Sequence, residues 1–295
     1  MTTSIGIGLA FVAMLCWGLG DFLIQKSTRK IGDWETLFII CGFGALVLLP
    51  FVWRDIPAVI SNPASKGFFI LLACSVVLFI AALLDFEALK KGKLAVVEPI
   101  WSFEIPAAAL LAFFILGERI SWLQIVLIAL LIAGLIAVSF HKVKSSLKRL
   151  LMEKGVILAL VAAIVMGVAN FLVGWGARVT DPLMVNFFLN VFITAVTAVY
   201  LIAKGKFSKT IRDAVFYRGV LLPMSILDNT AWVAFAFSMS LAPIAVAVAL
   251  SESYIIVAVI LGLAINKERI QFHQKSGLVL AIFSAIILAT ITGAS

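Results

Sequence analysis

Apolar residues along this chain gather into blocks of about twenty, separated by short polar connections. A block of that length spans a hydrocarbon core of roughly 30 Å as an α-helix. Strict alternation over short segments, the mark of a membrane barrel, is missing. The pattern predicts spans at 5–24, 34–53, 67–89, 94–116, 120–140, 153–174, 182–203, 216–238, 243–265 and 273–293. The expected fold class is therefore an all-α polytopic membrane protein with ten transmembrane helices. The first block lacks a basic leader and is too long for a signal core, so it is expected to stay as a span.

The pattern also repeats. A shift of 150 residues lays Glu118, Arg119, Ile120 and Gln124 on Glu268, Arg269, Ile270 and Gln274. It lays Ala95-Val96 on Ala245-Val246 and Ile105 on Ile255. A shift of 149 lays Gly18-Leu19-Gly20-Asp21-Phe22 on Gly167-Val168-Ala169-Asn170-Phe171. These matches predict an internal duplication, with one five-helix repeat at 1–145 and a second at 146–295. Five is odd, so the second copy enters the membrane in the opposite sense. The expectation is an inverted repeat about an axis in the membrane plane.

Composition agrees. Hydrophobic residues make up 63% of the chain and charged residues 13%, about half the charge of a soluble domain. The formal net charge of +8 does not signal nucleic-acid binding, because the positive residues lie in short loops between spans. Of the 23 Lys and Arg, 19 belong to the connections 1–2, 3–4, 5–6, 7–8 and 9–10. The positive-inside rule puts those loops in the cytoplasm and both termini outside, as expected for a multi-pass protein of the plasma membrane. Cys16, Cys41 and Cys74 fall inside spans without a CxxC spacing, and His141 and His273 sit at span ends. Neither a metal site, a cofactor motif nor a catalytic constellation is expected.

A Pro-bearing fourth span ending in Gly117-Glu118-Arg119-Ile120, and a ninth ending in Lys267-Glu268-Arg269-Ile270, resemble the EamA family of the drug/metabolite transporter superfamily. The resemblance covers nearly the whole chain. It implies a carrier with a substrate cavity between two five-helix halves. Family members handle amino acids, nucleotide sugars, amines and drugs, so membership leaves the substrate open. Many relatives keep both termini in the cytoplasm, whereas the loop charges here say the reverse. The second copy departs as well, with Ala249 in the place of Pro99 and Ser102 opposite Glu252.

Ionisable groups at membrane depth mark functional paths. Glu104, Asp228 and Glu252 fall near mid-span, and no Lys or Arg does. Either these acids carry a proton or a mobile cation neutralises them. Asp21 and Asp85 lie nearer the basic loops, as a vestibule for cations or as plain interfacial residues. Glu87 has Lys90 and Lys91 at helical spacing, which favours a local ion pair; Glu98 opens span four, either as a helix cap or in contact with substrate. Trp101 precedes Glu104 by three residues, Trp232 and Phe235 follow Asp228, and Tyr254 follows Glu252 by two. Carboxylates among aromatic faces suit an organic ammonium, although aromatic residues also simply pack. Asp21 itself follows Trp17 by one helical turn. Asn186, Asn190, Thr194 and Thr197 form a polar stripe on span seven, which either lines a cavity or bonds between helices.

The expected function is secondary transport of a small amine or organic cation by alternating access, with a proton or other ion as coupling partner and the bilayer as solvent. Carriage of amino acids or other zwitterionic or neutral metabolites is the alternative, with the acids serving proton coupling. A divalent-cation carrier is a narrower one.

Overall fold

The computed structural model describes residues 1–91, 100–139, 156–264 and 271–294. The sequence features Ala95-Val96, Glu98, Pro99, His141, the basic segment 141–152 and Lys267 to Ile270 lie outside the described residues. Among the described residues the chain is helical, without strands. The helices are α1 (Thr2–Ile31), α2 (Asp33–Val52), α3 (Ile56–Ile60), α4 (Lys66–Lys91), α5 (Glu104–Leu116), α6 (Trp122–Ser139), α7 (Val156–Val179), α8 (Pro182–Ala203), α9 (Phe207–Phe216), α10 (Arg218–Leu241), α11 (Ile244–Ser251), α12 (Tyr254–Ala264) and α13 (Phe272–Gly293). Nine stretches among them are long and apolar enough to cross a membrane, and Glu104–Leu116 is a shorter apolar helix.

Local chemistry sets the ends. α1 outruns the expected 5–24 because nothing breaks it before Gly32, whose φ of 108° is open to glycine. Asp181 caps α8: its carboxylate accepts from the Leu183 and Met184 N–H groups, and Pro182 takes the first helical position. Ser121 and Gln124 exchange bonds at the start of α6, and Gln271 and Gln274 form a capping box at the start of α13. The connection 204–218 holds α9, which the block pattern did not anticipate. Thr210 of α9 is buried while Ile211, Val215 and Phe216 are exposed, a two-sided helix fit for the membrane surface.

Helices pack in a paired pattern. α1 lies along α10 and α4 along α7; α2 lies along α8 and α6 along α13. The last pair runs antiparallel. Gln124, at the start of α6, donates to Thr292 near the end of α13, at 2.9 Å. Gln274, at the start of α13, donates to the Val138 carbonyl near the end of α6, at 3.0 Å. The two helices meet at glycines: a Cβ on Gly134 would stand 2.8 Å from the Gly277 carbonyl oxygen, and one on Gly277 would stand 2.8 Å from that of Gly134. The chain ends share one face, where the Ser4 hydroxyl donates to the Gly293 carbonyl.

Spans four and nine are interrupted at matching positions. Ser102 and Phe103 form a turn before α5, and Glu252 and Ser253 form one between α11 and α12. Pro106 accounts for the first break, since its ring excludes an amide bond to the Ser102 carbonyl. At the second, the Ser253 hydroxyl takes the Ala249 carbonyl, at 2.7 Å, in competition with the backbone. All of α11 is buried, as a helix apolar on every side should be.

Candidate functional site

The two breaks come together. Glu104 is the first residue of α5 and is buried; Glu252 ends α11. Asn170 of α7 lies between them, and its amide nitrogen donates to Glu104 Oε2 at 3.3 Å and to Glu252 Oε1 at 3.2 Å. The two hydrogens of one amide thus serve two carboxyls, one from each half of the sequence. Gly167 makes this reach available, because a Cβ there would sit 2.7 Å from the Glu104 carbonyl oxygen. Its counterpart Gly18 lets α1 close on α12 in the same way, with a Cβ position 3.1 Å from the Tyr254 carbonyl oxygen.

Asp85 of α4 is close enough to Glu104 to interact with it electrostatically, as Glu252 is. Its Oδ1 is buried with no hydrogen-bond partner among the described residues. Trp101 packs with Ile100 and Leu158 against Ala88 and Ala159, and its Nε1 is likewise buried without an acceptor. Asp21 lies on α1, and its side chain is outside the described set.

Three further expected residues gather around Trp17, which the sequence marked only by its spacing to Asp21. Trp17 of α1 meets Trp232 edge-on with ring centres 5.2 Å apart, Phe235 at 5.1 Å and Tyr254 at 6.5 Å. Tyr254 follows Glu252 by two residues, so this aromatic group flanks the carboxyl pair. The spacing from Trp17 to Asp21 was the sequence signal for it.

Asp228 stands elsewhere. It lies beside Cys41 of α2, away from the carboxyls grouped at Glu104. The asparagine stripe bonds between helices. Asn190 donates to Asn229 at 3.0 Å, and Asn229 donates to the Ile40 carbonyl at 3.1 Å and to that of Ser225 at 2.9 Å. Asn186 donates to the Pro182 and Trp232 carbonyls. These bonds join α8, α10 and α2. An apolar cavity of about 320 Å³ between α3, α4 and α8, lined by residues such as Leu72, Phe187 and Phe192, lies apart from all these acids. Among the described residues no group of three or more His, Cys, Asp or Glu is placed to hold a metal ion.

The model of the EamA-like transporter family matches residues 4–140 and, a second time, residues 153–290. The chain belongs to the EamA-like transporter family. It is 23% identical over 285 residues to an uncharacterized transporter of Archaeoglobus fulgidus, across 95% of this chain and 96% of the relative. A solved crystal structure of a protein shares the fold at a TM-score of 0.74, with 15% identity and 97% of each chain covered. Membership makes this protein a multi-pass membrane transporter of small molecules. The double match puts one family unit in each half.

Proposed function

We propose that this family member is a secondary carrier of a small amine or other organic cation, working by alternating access, with a proton exchanged at the same carboxyls. One observation carries the proposal: Glu104 and Glu252, from opposite halves, meet at the interruptions of spans four and nine on a single amide. Interrupted helices at mid-membrane are the usual place for a transporter's site. The shared amide, 3.3 Å from one carboxyl oxygen and 3.2 Å from the other, holds the two within about 6.5 Å, where full charges repel by about 2.5 kcal/mol or more at an effective dielectric near 20. A cation beside the pair relieves that repulsion; between loads a proton does so. Trp17, Trp232 and Tyr254 supply faces and edges for the organic part of the cation.

The pairing of helices supports halves of inverted sense, 1–145 and 146–295. Exchanging the halves turns the α1–α10 contact into α7–α4 and leaves α6–α13 and α2–α8 as they are. The basic loops support a cytoplasmic face opposite the chain ends, in the plasma membrane. A second reading, an amino-acid carrier that uses the acids for proton coupling, draws on one observation: the buried Trp101 Nε1 is a donor that a substrate carboxylate would satisfy.

Thermal melting of the purified protein against primary and quaternary amines, amino acids and divalent metals separates these readings, since a ligand raises the melting temperature by mass action. Stabilisation by amines alone is expected. Stabilisation by amino acids and not by simple amines would replace the first reading with the second.

A further inference from the structure

At the face that carries the chain ends, a second cluster joins the same three elements. Glu118, two residues beyond α5, accepts from Arg178 of α7 at 2.9 Å and from the Ile244 N–H, at 3.0 Å to Oε1 and 2.9 Å to Oε2. Arg178 also donates to the Met239 and Ala242 carbonyls, both at 2.8 Å. The chemistry of each bond is specific. α11 begins after Pro243, which offers no side chain to cap it, so an acid from the other half fills that role where the helix dipole favours one. The Arg178 guanidinium takes the open carbonyls at the end of α10, where a cation is favoured. Glu118 keeps 12% and Arg178 29% of its side-chain exposure, so the carboxylate is largely withdrawn from water while the guanidinium stays partly open to it.

Each member of this cluster shares an element with one member of the carboxyl pair and its bridge. Glu104 opens α5, and Glu118 follows its end. Asn170 and Arg178 lie on α7. Ile244 opens α11, and Glu252 closes it. Asn170 is about 12 Å from Arg178 along its helix axis, and Ile244 about 12 Å from Glu252, at 1.5 Å per residue. Parting the cluster therefore parts the elements that hold the site.

We propose that Glu118, Arg178 and the Ile244 N–H form a latch that closes the site toward the face carrying the chain ends, and that its release opens that face. The latch rests on Glu104, Asn170 and Glu252 being the transport site. Ala245, almost buried one residue inside the latch, reports its state. In a background with Cys16→Ala, Cys41→Ala and Cys74→Ala, the Ala245→Cys protein in vesicles is exposed to a membrane-impermeant maleimide without substrate. Thr2→Cys marks full exposure and Ala163→Cys, buried on α7, marks global unfolding. With the latch intact, Ala245→Cys labels far more slowly than Thr2→Cys. Glu118→Gln and Arg178→Gln raise its rate about ten- to a hundredfold, the effect of losing a charge-assisted bond, while Ala163→Cys stays unlabelled.

Glu118→Asp keeps the charge with a shorter reach and gives an intermediate rate; it carries the test if the glutamine variant labels at Ala163→Cys. Unchanged rates in the folded variants, or a wild-type rate equal to that of Thr2→Cys, overturn the latch. Labelling needs no transported substrate, so faster labelling in a protein that moves no amine would sink the transport reading and leave the latch.

Discussion

Gly134→Ala sets two opposite effects against each other at the crossing of α6 and α13. Alanine favours a helix over glycine by about 1 kcal/mol. The added Cβ would lie 2.7 Å from the Ala281 backbone nitrogen and 2.8 Å from the Gly277 carbonyl oxygen. Ordinary contact begins at 3.4 Å. Both neighbours are backbone atoms of the facing helix, so no side chain can swing away and the helices themselves must move apart. Overpacking of that kind costs about 1–3 kcal/mol. The clash prevails, and a net loss of up to about 2 kcal/mol is expected. Gly8→Ala is the control, because nothing lies within 4 Å of its added Cβ; it should be neutral or stabilising. Thermal unfolding of the two purified variants beside the wild type measures the difference. Gly134→Ala melting as high as Gly8→Ala would refute the close crossing.

Three other outcomes follow from the same geometry. Asn229→Ala leaves the Ile40 carbonyl and Asn190 without their partner, so it should lower stability by about 1–3 kcal/mol; folded protein should keep its amine affinity, and a lost amine-induced melting shift would mean that Asn229 touches substrate. Trp17→Ala removes edge contacts with three rings, each worth about 0.5–1.5 kcal/mol. It should weaken the melting shift given by amines, and Trp17→Phe should restore part of it; a full shift in Trp17→Ala removes the aromatic group from the site. Lys206 bonds Glu35 at 3.1 Å; first that bond and then the Glu35 charge hold its pKa above the ordinary 10.5. A raised folded value stabilises fully below the unfolded pKa of roughly 10.4 and is lost as pH climbs through the folded value. The melting difference between wild type and Lys206→Gln should therefore hold to about pH 10 and close above it; closure already at neutral pH would contradict the pair.

Much of the fold was legible because a hydrocarbon solvent makes length and hydrophobicity decisive. The apolar blocks found the membrane-crossing helices, and the matches around Gly18 and Gly167 marked real close approaches. The breaks in spans four and nine were hidden, since Glu104 and Glu252 look alike as isolated acids in apolar runs. The prolines of span four, Pro99 and Pro106, hinted that this run would not stay whole. Asn170 was visible as the counterpart of Asp21, but its role depends on two residues far away in sequence, and no spacing rule joins them. Asp228 shares the depth of Glu104 and Glu252 but not their position, because its place on α10 turns it toward Cys41 of α2. The asparagines of span seven left two roles open from their periodicity, and their partners on α2 and α10 supply bonds between helices. Glu118 sits next to Arg119 in sequence, yet its ion-pair partner is Arg178, because the end of α7 arrives where the chain turns after α5.

Uptake of a radiolabelled primary amine into proteoliposomes under an imposed proton gradient tests the carboxyl pair most directly, with Glu104→Gln and Glu252→Gln beside the wild type. Glutamine keeps the shape and an acceptor for Asn170 but removes the charge. A cation about 4 Å from a carboxylate gains about 4 kcal/mol at an effective dielectric near 20, so each variant should lose uptake by about a hundredfold or more. Wild-type uptake in both variants would contradict the account.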